Sequence, residues 1–536
     1  MAPGDYRDVT WKRFGEEVFD LLVIGGGING AGVARDAVLR GMSVALVEKG
    51  DFACGTSSRS SKLIHGGVRY LEHGDVALVL EACRERDLLR TRIAPHLVRA
   101  QRFLFPVYDD DPTPLWQLRF GLLAYDALAV FRNVERHSAL NRKQVREREP
   151  ALLADGLVGG ALYYDCATDD ARLTLENMLA ARSDGAAVLN YVELQALEKD
   201  SAGRLAAALV CDRITRRSVR VRARSFVNVT GPWLDVVRKL DDGGAPPRLK
   251  VTKGVHAVFE RARIGNNDAV VIRGAGDDRV MFAIPWQDRT LVGTTDTYYE
   301  GDPGAVSVDA DDIDYLLATV NRAFPGADVT AADVVSSYAG LRPLVAPEDE
   351  LDESAVSRED SIFESPAGLI SLGGGKLTTH RHVAERMVDL AVARSGRRTA
   401  PCRTARVPLP GAAGIRPGEV YSDLPASNEE HLRRRYGALA GELGGLLAER
   451  GGGRLADDVC DLEAEVLYAV DCEMAVGLED VLARRLHLGL RSRGRGAGVA
   501  TRVATLMGQR LGWDATEQAR QVESYLAALG GQGDGV

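Results

Sequence analysis

Three glycines and a downstream glutamate carry the first chemical signal in this chain. The run Gly25-Gly26-Gly27-Ile28-Asn29-Gly30 has the pattern G-x-G-x-x-G, and Glu48 follows it. In this pattern Gly25 allows a tight turn, Gly27 lets the backbone approach a pyrophosphate, and Gly30 lets a helix pack on a strand. An acid at the position of Glu48 can accept hydrogen bonds from ribose hydroxyls and repels a 2′-phosphate. The spacing therefore predicts a dinucleotide site that disfavours NADP.

The segments around these residues predict the elements that position them. Residues 19–24 form a short apolar run typical of a buried parallel strand, and 43–47 form a second one. Residues 31–40 have the pattern of a helix that ends at Gly41. A strand, a glycine turn, a helix and a second strand would place the N–H groups at the helix start against the phosphates.

The motif alone does not distinguish NAD from FAD, but the loop that follows it does. An NAD-binding domain would normally continue directly to its next crossover helix, whereas residues 49–58 form a hydroxyl-rich loop of small residues. Residues 59–72 then run R-S-S-K-L-I-H-G-G-V-R-Y-L-E, which mixes charged, flexible and apolar residues. Such a loop can follow an extended cofactor to its reactive ring with hydroxyl and backbone N–H donors. We therefore expect FAD.

Further short stretches, spread over nearly the whole chain, match one family of flavoproteins. They are D-L-L-V-I-G-G-G-I-N-G-A-G-V-A-R-D-A (20–37), T-S-S-R-S-S-K-L-I-H-G-G-V-R-Y-L-E (56–72), A-P-H-L-V (94–98), D-D-A-R-L (169–173), N-V-T-G-P-W (228–233), K-G-V-H (253–256), I-P-W-Q-D-R-T-L-V-G-T-T-D (284–296), Y-A-G-L-R-P-L (338–344) and G-G-G-K-L-T-T-H-R (373–381). In these stretches the sequence resembles the FAD-dependent glycerol-3-phosphate dehydrogenases, within the wider glycine oxidase and D-amino-acid oxidase type. Each stretch alone is a modest signal, and the combination is highly specific.

The resemblance implies an α/β fold in which a Rossmann-like FAD domain is interleaved with an antiparallel-sheet substrate domain, followed by a C-terminal helical domain. The expected segments are 18–100, 165–245 and 335–400 for the FAD domain, 101–164 and 246–334 for the substrate domain, 415–529 for the helical domain and 530–536 for a disordered tail. The residues agree, because 186–230 alternate apolar runs with polar turns as a strand meander does. Asp169 and Asp170 are candidate caps for a helix over 171–183, and 408–414 have the composition of a linker.

The resemblance implies oxidation of sn-glycerol 3-phosphate to dihydroxyacetone phosphate, with hydride transfer from C2 to N5 of FAD. His256 in K-G-V-H is the expected base, since an imidazole with a pKa near neutrality suits alcohol deprotonation. Arg342 and Lys376 would assist by stabilising the developing alkoxide. A lone histidine in a strand is otherwise more often a satisfied core residue.

A phosphate dianion needs cationic side chains from distant segments, because guanidinium donors match phosphate oxygens. The expected substrate contacts are Arg69, Tyr70, Arg342, Arg358 and Lys376. The expected cofactor contacts, besides Gly25, Gly27, Gly30 and Glu48, are Thr56, Ser57, Ser58, Ser61, Lys62, His65, Gly66, Gly67, Thr230, Gly231, Gly374, Gly375, Lys376, Leu377 and Thr378. Each basic residue taken singly would be interpreted as a solvated or ion-paired side chain.

Composition excludes several other classes. The net charge of −9 argues against a nucleic-acid partner, which usually requires a basic surface. Seven cysteines, an odd number with no C-x-x-C pair, argue against a disulfide framework, a zinc ribbon or an iron–sulfur cluster. We expect no metal site. The expected location is the cytoplasm, extending to the inner face of the cell membrane if quinone is the electron acceptor.

The resemblance implies quinone at the membrane surface as the acceptor, and a homodimer is expected. Residues 115–132 are strongly apolar and aromatic, which predicts either an interfacial amphipathic helix or a buried helix of the substrate domain. A second candidate for contact with anionic lipid is the basic cluster Arg484, Arg485, Arg491, Arg493 and Arg495, for which a solvated helix face is the favoured alternative.

Three alternative functions stay open at this point. The first is a glycerol-3-phosphate oxidase that reduces oxygen to hydrogen peroxide. The second is a flavin-binding regulator that has lost catalysis, and the third is an amine or amino-acid oxidase of the same fold. Retention of His256 and of the basic residues argues against the regulator.

Overall fold

The computed structural model describes residues 3–67, 75–128, 134–277, 279–345, 360–414, 426–450, 453–456 and 459–530. Its strands are β1 (Val18–Ile24), β2 (Val44–Val47), β3 (Leu63–Ile64), β4 (Arg99–Tyr108), β5 (Ser138–Asn141), β6 (Leu157–Ala167), β7 (Ala187–Leu189), β8 (Val192–Lys199), β9 (Leu205–Asp212), β10 (Ser218–Asn228), β11 (Leu249–Glu260), β12 (Ala269–Arg273), β13 (Val280–Trp286), β14 (Arg289–Gly293), β15 (Thr297–Tyr298), β16 (Val334–Val345), β17 (Ser361–Glu364) and β18 (Leu369–Gly373).

Helices cover both sheets and build the C-terminal region. They are α1 (Pro3–Glu16), α2 (Ile28–Leu39), α3 (Val76–Leu88), α4 (Leu115–Leu128), α5 (Arg142–Arg148), α6 (Asp170–Ser183), α7 (Leu234–Asp241), α8 (Arg261–Ile264), α9 (Ala310–Ala323), α10 (His380–Ser395), α11 (Ala426–Tyr436), α12 (Leu443–Arg450), α13 (Glu463–Asp471), α14 (Leu488–Arg491), α15 (Ala497–Leu511) and α16 (Ala515–Gly530). Among the described residues, no helix combines the length and the apolar character that crossing a bilayer requires.

The first sheet has the order β17-β18-β10-β1-β2-β7, with β9 and β8 added as an antiparallel extension of β10. Neighbouring strands from β18 to β7 are parallel, and their apolar residues are buried on both faces, as expected for such a sheet. Helices α2, α6 and α10 contribute to the core on one face, while α1 packs on the other. This confirms the predicted nucleotide-binding architecture.

The second sheet has the order β15-β11-β14-β13-β12-β4-β6-β3, with β16 on β11 and β5 on β6. Its pairings are antiparallel except for β12 with β4. Strand β16 was expected in the nucleotide-binding domain from residue 335 onward, but it pairs with β11 along its length. Strand β16 therefore belongs to the second sheet, and the chain returns to the first sheet with β17 and β18.

The C-terminal region is helical, as predicted, and has its own apolar core between α13, α15 and α16. It is joined to the first domain by buried ion pairs as well as by apolar contacts. Arg484 and Arg485 bind the carboxylate of Asp51, which follows β2, and Arg172 in α6 pairs with Glu473. The predicted tail at 530–536 lies outside the described residues except for the last residue of α16.

Candidate active site

A cavity of about 250 Å³ lies where β1, β2, β10 and β18 end. In an open parallel sheet, ligands bind outside the carboxyl ends of the strands. The cavity is lined by ten residues of the predicted cofactor site, namely Gly25, Gly27, Glu48, Thr56, Ser57, Thr230, Gly231, Gly374, Gly375 and Leu377. The sequence motifs from four distant segments therefore meet at one place.

The glycine turn has the geometry that a close approach of phosphate requires. Gly25 has φ of +113°, a conformation that favours glycine. A Cβ atom on Gly30 would overlap the carbonyl oxygen of Gly25, so this position must stay bare for α2 to meet β1. Gly27 is the N-cap of α2, and the amide of Ile28 donates to Ser57 Oγ at 2.9 Å. The turn is thus closed against the following loop.

Glu48 holds the two walls of the cavity together. Its Oε2 accepts from the amide of Gly26 at 2.7 Å, and its Oε1 accepts from the amide of Gly50 at 2.8 Å. Burial raises the pKa of the Glu48 carboxyl, and the two backbone hydrogen bonds act in the opposite direction. Each oxygen retains acceptor capacity for a ribose hydroxyl.

Several cavity residues were missed by sequence reasoning. Trp233 forms one wall, and the ammonium of Lys49 lies 3.9 Å from its ring centroid. Asn29 also lines the cavity, and its buried Oδ1 has no hydrogen-bond partner among the described residues. The motif N-V-T-G-P-W contains Trp233, but only the fold shows that its ring turns toward the nucleotide loop. The glycine turn at residues 25–30 leaves room for phosphate, Glu48 can accept from a ribose, and Asn29 offers an unsatisfied amide oxygen. These three features together fit the FAD expected from sequence.

The second sheet presents another set of residues to the loop that follows the short 3₁₀ turn at Thr56–Ser58. In β11 and β16, His256 pairs with Tyr338, Gly254 with Gly340 and Thr252 with Arg342. Because side chains two residues apart share a face, His256, Tyr338 and Arg342 lie on the same face of this sheet.

Glycines on this face allow the close contacts. A Cβ on Gly340 would meet the carbonyl oxygen of Arg59 at 2.6 Å, so the loop backbone can lie directly on β16. A Cβ on Gly254 would meet Thr294 Oγ1 at 2.6 Å and the carbon of the Arg342 guanidinium at 2.8 Å. The glycine in K-G-V-H therefore makes room for the arginine.

His256 is held between Ser61 and Tyr338. Its Nε2 lies 2.9 Å from Ser61 Oγ, and its ring is stacked on Tyr338 with centroids 4.8 Å apart. The Tyr338 hydroxyl donates to the carbonyl of Ser60 at 2.9 Å, which ties the same loop to the same strand. The histidine is only 3% exposed, whereas Ser61 is half-buried.

The pKa of His256 is lowered to about 3, first by burial and then by the charges of Arg342 and Lys62. The sequence-based expectation was a pKa near neutrality. The imidazole is therefore neutral at physiological pH and can accept a proton, but it is a weaker base than expected until negative charge enters the site.

Arg342 is oriented by three neighbours of the β14–β15 segment. Its Nη1 lies 3.0 Å from Asp296 Oδ1, and its Nη2 donates to Thr294 Oγ1 at 2.9 Å. Nη1 and Nη2 also lie 3.3 Å from the carbonyl oxygen of Thr295. These contacts fix the guanidinium plane beside His256.

Lys62 does not line the cavity. It is 1% exposed, and its ammonium binds Asp170 Oδ1 at 2.6 Å and the carbonyl of Ser58 at 3.2 Å. The structure thus gives Lys62 and Ser58 a part in shaping the loop, because a desolvated ammonium needs a carboxylate partner.

The remaining predicted loop residues lie beyond the cavity lining. The amide of His65, an exposed residue, donates to Thr378 Oγ1 at 3.1 Å, which joins the loop to the segment before α10. A Cβ on Gly66 would overlap Tyr125 Oη, so packing alone already requires a glycine at this position. Gly67 has φ of +74°. Lys376 is half-buried between β18 and α10.

Three of the predicted substrate contacts cannot be placed. Arg69, Tyr70 and Arg358 lie outside the described residues.

Three of the five arginines in the basic cluster proposed for lipid contact are not on the surface, whereas Arg493 is exposed and Arg495 is half-buried. Arg484, Arg485 and Arg491 are buried, and they pair with Asp51, Asp480 and Asp461. This part of the prediction was wrong because the acidic partners are distant in sequence.

The C-terminal region also contains His431, Asp461 and Glu465 with their ligand atoms close together. Arg435 binds both carboxylates at 2.7 Å, so this group is an ion-pair network in which a cation is already present.

Comparison with known proteins supports this assignment of the cavity. The model of the family "FAD dependent oxidoreductase" matches residues 20–390, and "C-terminal domain of alpha-glycerophosphate oxidase" matches residues 402–518. The chain is 39% identical to a glycerol-3-phosphate dehydrogenase of Mycobacterium leprae, over 98% of this chain and 90% of that protein. It is 36% identical to a glycerol-3-phosphate dehydrogenase of Synechocystis, over 95% of both chains.

A solved structure agrees over the whole length. The glycerol-3-phosphate dehydrogenase from Bacillus halodurans, complexed with FAD, superposes with a TM-score of 0.82 at 32% identity and covers 99% of this chain and 98% of its own. Glycine oxidase from Geobacillus kaustophilus covers 73% of this chain with a TM-score of 0.53 at 20% identity, which supports the fold alone.

Proposed function

Because this chain belongs to the family of FAD-dependent glycerol-3-phosphate dehydrogenases, we propose that it oxidises sn-glycerol 3-phosphate to dihydroxyacetone phosphate and passes the electrons to a membrane quinone. The observation that supports this reaction best is the shared sheet face of His256 and Arg342, opposite the loop that leaves the nucleotide cavity. Bound FAD supplies the acceptor, N5, for the hydride from C2.

In this proposal Arg342 binds and orients the substrate phosphate. Its guanidinium is already held by Asp296 and Thr294, so little side-chain entropy is lost when an anion binds. Arg69, Tyr70, Arg358 and Lys376 complete the proposed clamp from other segments. Arg342 and Lys376 also stabilise negative charge on the C2 oxygen as its proton leaves.

His256 takes the hydroxyl proton through Ser61. In the tautomer that this step requires, Nε2 is the acceptor in its 2.9 Å contact with Ser61 Oγ, and the Ser61 hydroxyl in turn accepts from the C2 hydroxyl. One proton then moves along each of the two hydrogen bonds. A phosphate dianion on Arg342 offsets the positive charge that lowers the pKa of His256. Substrate binding thereby makes the histidine more basic when a base is needed.

Helix α4 supports the proposed contact with a membrane. Trp116 and Phe120 are each 72% exposed and Leu123 is 51% exposed, while Leu118 and Leu122 on the opposite side are buried. Residues four apart share a helix face, so the exposed aromatic rings form one apolar surface suited to the interfacial region of a bilayer. We propose that this surface rests on the inner face of the cell membrane, and that the enzyme is a homodimer there.

The acceptor is tested by reoxidation of the substrate-reduced enzyme. Rapid recovery of flavin absorbance with a soluble quinone, and slow recovery in air without peroxide, is the expected result. Rapid recovery in air with one peroxide per flavin would instead make the protein a glycerol-3-phosphate oxidase. Glycerol, which lacks the phosphate, serves as the matched control substrate and should reduce the flavin far more slowly.

A further inference from the structure

The loop that carries Ser61 is held from behind by a buried carboxylate. Asp170 is fully buried, and its Oδ1 binds the Lys62 ammonium at 2.6 Å. Its Oδ2 accepts from Ser60 Oγ at 2.6 Å and from the Ser60 amide at 3.1 Å. Since Ser61 lies between these two contacts, the position of Asp170 determines where the Ser61 hydroxyl points.

The residue before Asp170 is held by the C-terminal region. Asp169 caps α6 by accepting from the Arg172 amide at 2.9 Å, and its Oδ2 lies 2.7 Å from Nε2 of His487. His487 is 1% exposed, and its Nδ1 lies 3.2 Å from the carbonyl oxygen of Ala483. Both ring nitrogens of His487 therefore lie within hydrogen-bond distance of an oxygen atom.

A single aromatic residue contacts both ends of this arrangement. The ring of Trp286 lies edge-on to His487 with centroids 5.7 Å apart, and the Lys62 ammonium lies 5.4 Å from the same ring. The contacts therefore run without a gap from His487 to Asp169 and from Asp170 through the loop to Ser61 and His256. Neither His487 nor Asp169 was assigned any part in the site from sequence.

We propose that His487 is a positioning residue, through which the C-terminal helical region sets the orientation of Ser61 toward His256. This inference rests on the proposed function of Ser61 and His256. Asp169 and Asp170 are consecutive, so a shift of the helix start that follows loss of His487 moves Asp170 and the loop it holds. A displacement of about 1 Å at a reacting group can lower a rate on the order of 100-fold.

The test uses full-length, FAD-saturated protein with the variants His487→Leu and His487→Gln. The control is Arg182→Met, which removes a hydrogen bond of 2.9 Å from the other end of α6 to the carbonyl of Cys472. The two measurements are the rate of anaerobic flavin reduction at saturating glycerol 3-phosphate and the ¹⁵N resonance of His256 Nε2. The resonance is assigned with a His256 variant and reports the Ser61 hydrogen bond in the resting protein.

We expect His487→Leu to slow reduction about 10- to 100-fold and to shift the Nε2 resonance. His487→Gln, which keeps an N–H donor for Asp169, should recover most of the rate, and Arg182→Met should match wild type in both measurements. If His487→Leu does not fold, Asp169→Asn replaces it, because asparagine retains the cap and loses only the charge. A smaller change in the same direction is then expected.

A folded His487→Leu or Asp169→Asn protein with wild-type rate and wild-type resonance would overturn the inference. Equal losses in the Arg182→Met control would also overturn it, since they would indicate general loosening of α6. If the wild-type flavin is not reduced by glycerol 3-phosphate, the proposed function fails. The resonance of the resting protein then still decides whether His487 orients Ser61.

Discussion

Ser61 Oγ lies 2.9 Å from Nε2 of His256, and this hydrogen bond joins the loop of the nucleotide cavity to one face of the second sheet. The two residues are 195 positions apart in the chain. Their contact depends on Tyr338, which stacks on the imidazole and donates to the carbonyl of Ser60.

Replacement of His256 by alanine should slow flavin reduction about 10²- to 10⁴-fold, because the base for the hydroxyl proton is lost. FAD binding should be retained, since His256 does not line the nucleotide cavity. Anaerobic stopped-flow absorbance measures the rate. His382→Gln is the control, since that side chain is 35% exposed and is assigned no chemistry. Near-wild-type reduction by His256→Ala across pH would remove the histidine from the mechanism.

Buried histidines should make the fold sensitive to acid. The pKa of His380 is lowered to about 4, first by burial, from a reference value of 6.5. The unfolded chain therefore binds a proton that the folded chain does not between these values, and stability falls as pH decreases through this window. The loss from this residue accumulates across the window and reaches on the order of 3 kcal/mol once the pH lies below the folded-state pKa of about 4.

This dependence is measured by urea unfolding of wild type and His380→Gln between about pH 4 and 8. The variant should lose less stability than wild type on acidification. The slope of unfolding free energy against pH should differ between the two proteins by up to the equivalent of one bound proton. Parallel curves for the two proteins would show that His380 titrates normally in the folded state.

Removal of the Lys62 ammonium should be strongly destabilising. Lys62→Met leaves Asp170 as a buried carboxylate without its cation, which costs about 3–5 kcal/mol. Addition of Asp170→Asn should recover part of this loss, because no unpaired charge remains. Lys12→Met is the matched control, since its pair with Glu16 is exposed and should be nearly neutral. Equal stability of Lys62→Met and Lys12→Met would contradict the assigned ion pair.

A methyl group on the nucleotide turn should abolish tight FAD binding. Gly30→Ala would force the Cβ onto the carbonyl of Gly25 and push α2 away from β1, which should weaken FAD at least about 100-fold. Gly498→Ala is the control, because a Cβ there meets nothing within 4 Å in α15. Quenching of FAD fluorescence gives the dissociation constants. Similar affinities for both variants would contradict the assignment of the turn.

The exposed face of α4 should control membrane binding. Trp116→Ser with Phe120→Ser should weaken binding to vesicles of anionic phospholipid at least about tenfold, because both rings lose their apolar contact. Turnover with a soluble acceptor should stay unchanged. Ile214→Ser, at a residue 48% exposed on the first domain, is the control. Vesicle binding that the double variant retains would locate the membrane surface elsewhere.

Local signals allowed the nucleotide site to be predicted from sequence. Gly25, Gly27, Gly30 and Glu48 lie in one strand-turn-helix-strand unit, and their spacing alone carries the geometry. Asp169 was likewise predictable as a helix cap, since a cap depends only on the residues that follow it.

Residues whose surroundings come from distant parts of the chain could not be placed in this way. Lys62 was expected to contact the cofactor because it lies in a polar loop, but its partner Asp170 lies 108 positions away. Arg485 was a candidate for lipid contact because it lies in a basic cluster, but its partner Asp51 lies 434 positions away. The lowered pKa of His256 has the same origin, because burial and the charges around it are set by tertiary packing.

One anaerobic mixing experiment tests most directly whether this flavoprotein takes electrons from glycerol 3-phosphate. The purified yellow protein is mixed with glycerol 3-phosphate without oxygen, and flavin absorbance is followed at about 450 nm. Rapid and complete loss of this absorbance, with formation of dihydroxyacetone phosphate in equal amount, is the predicted result. Unchanged absorbance with FAD-saturated protein would contradict the account.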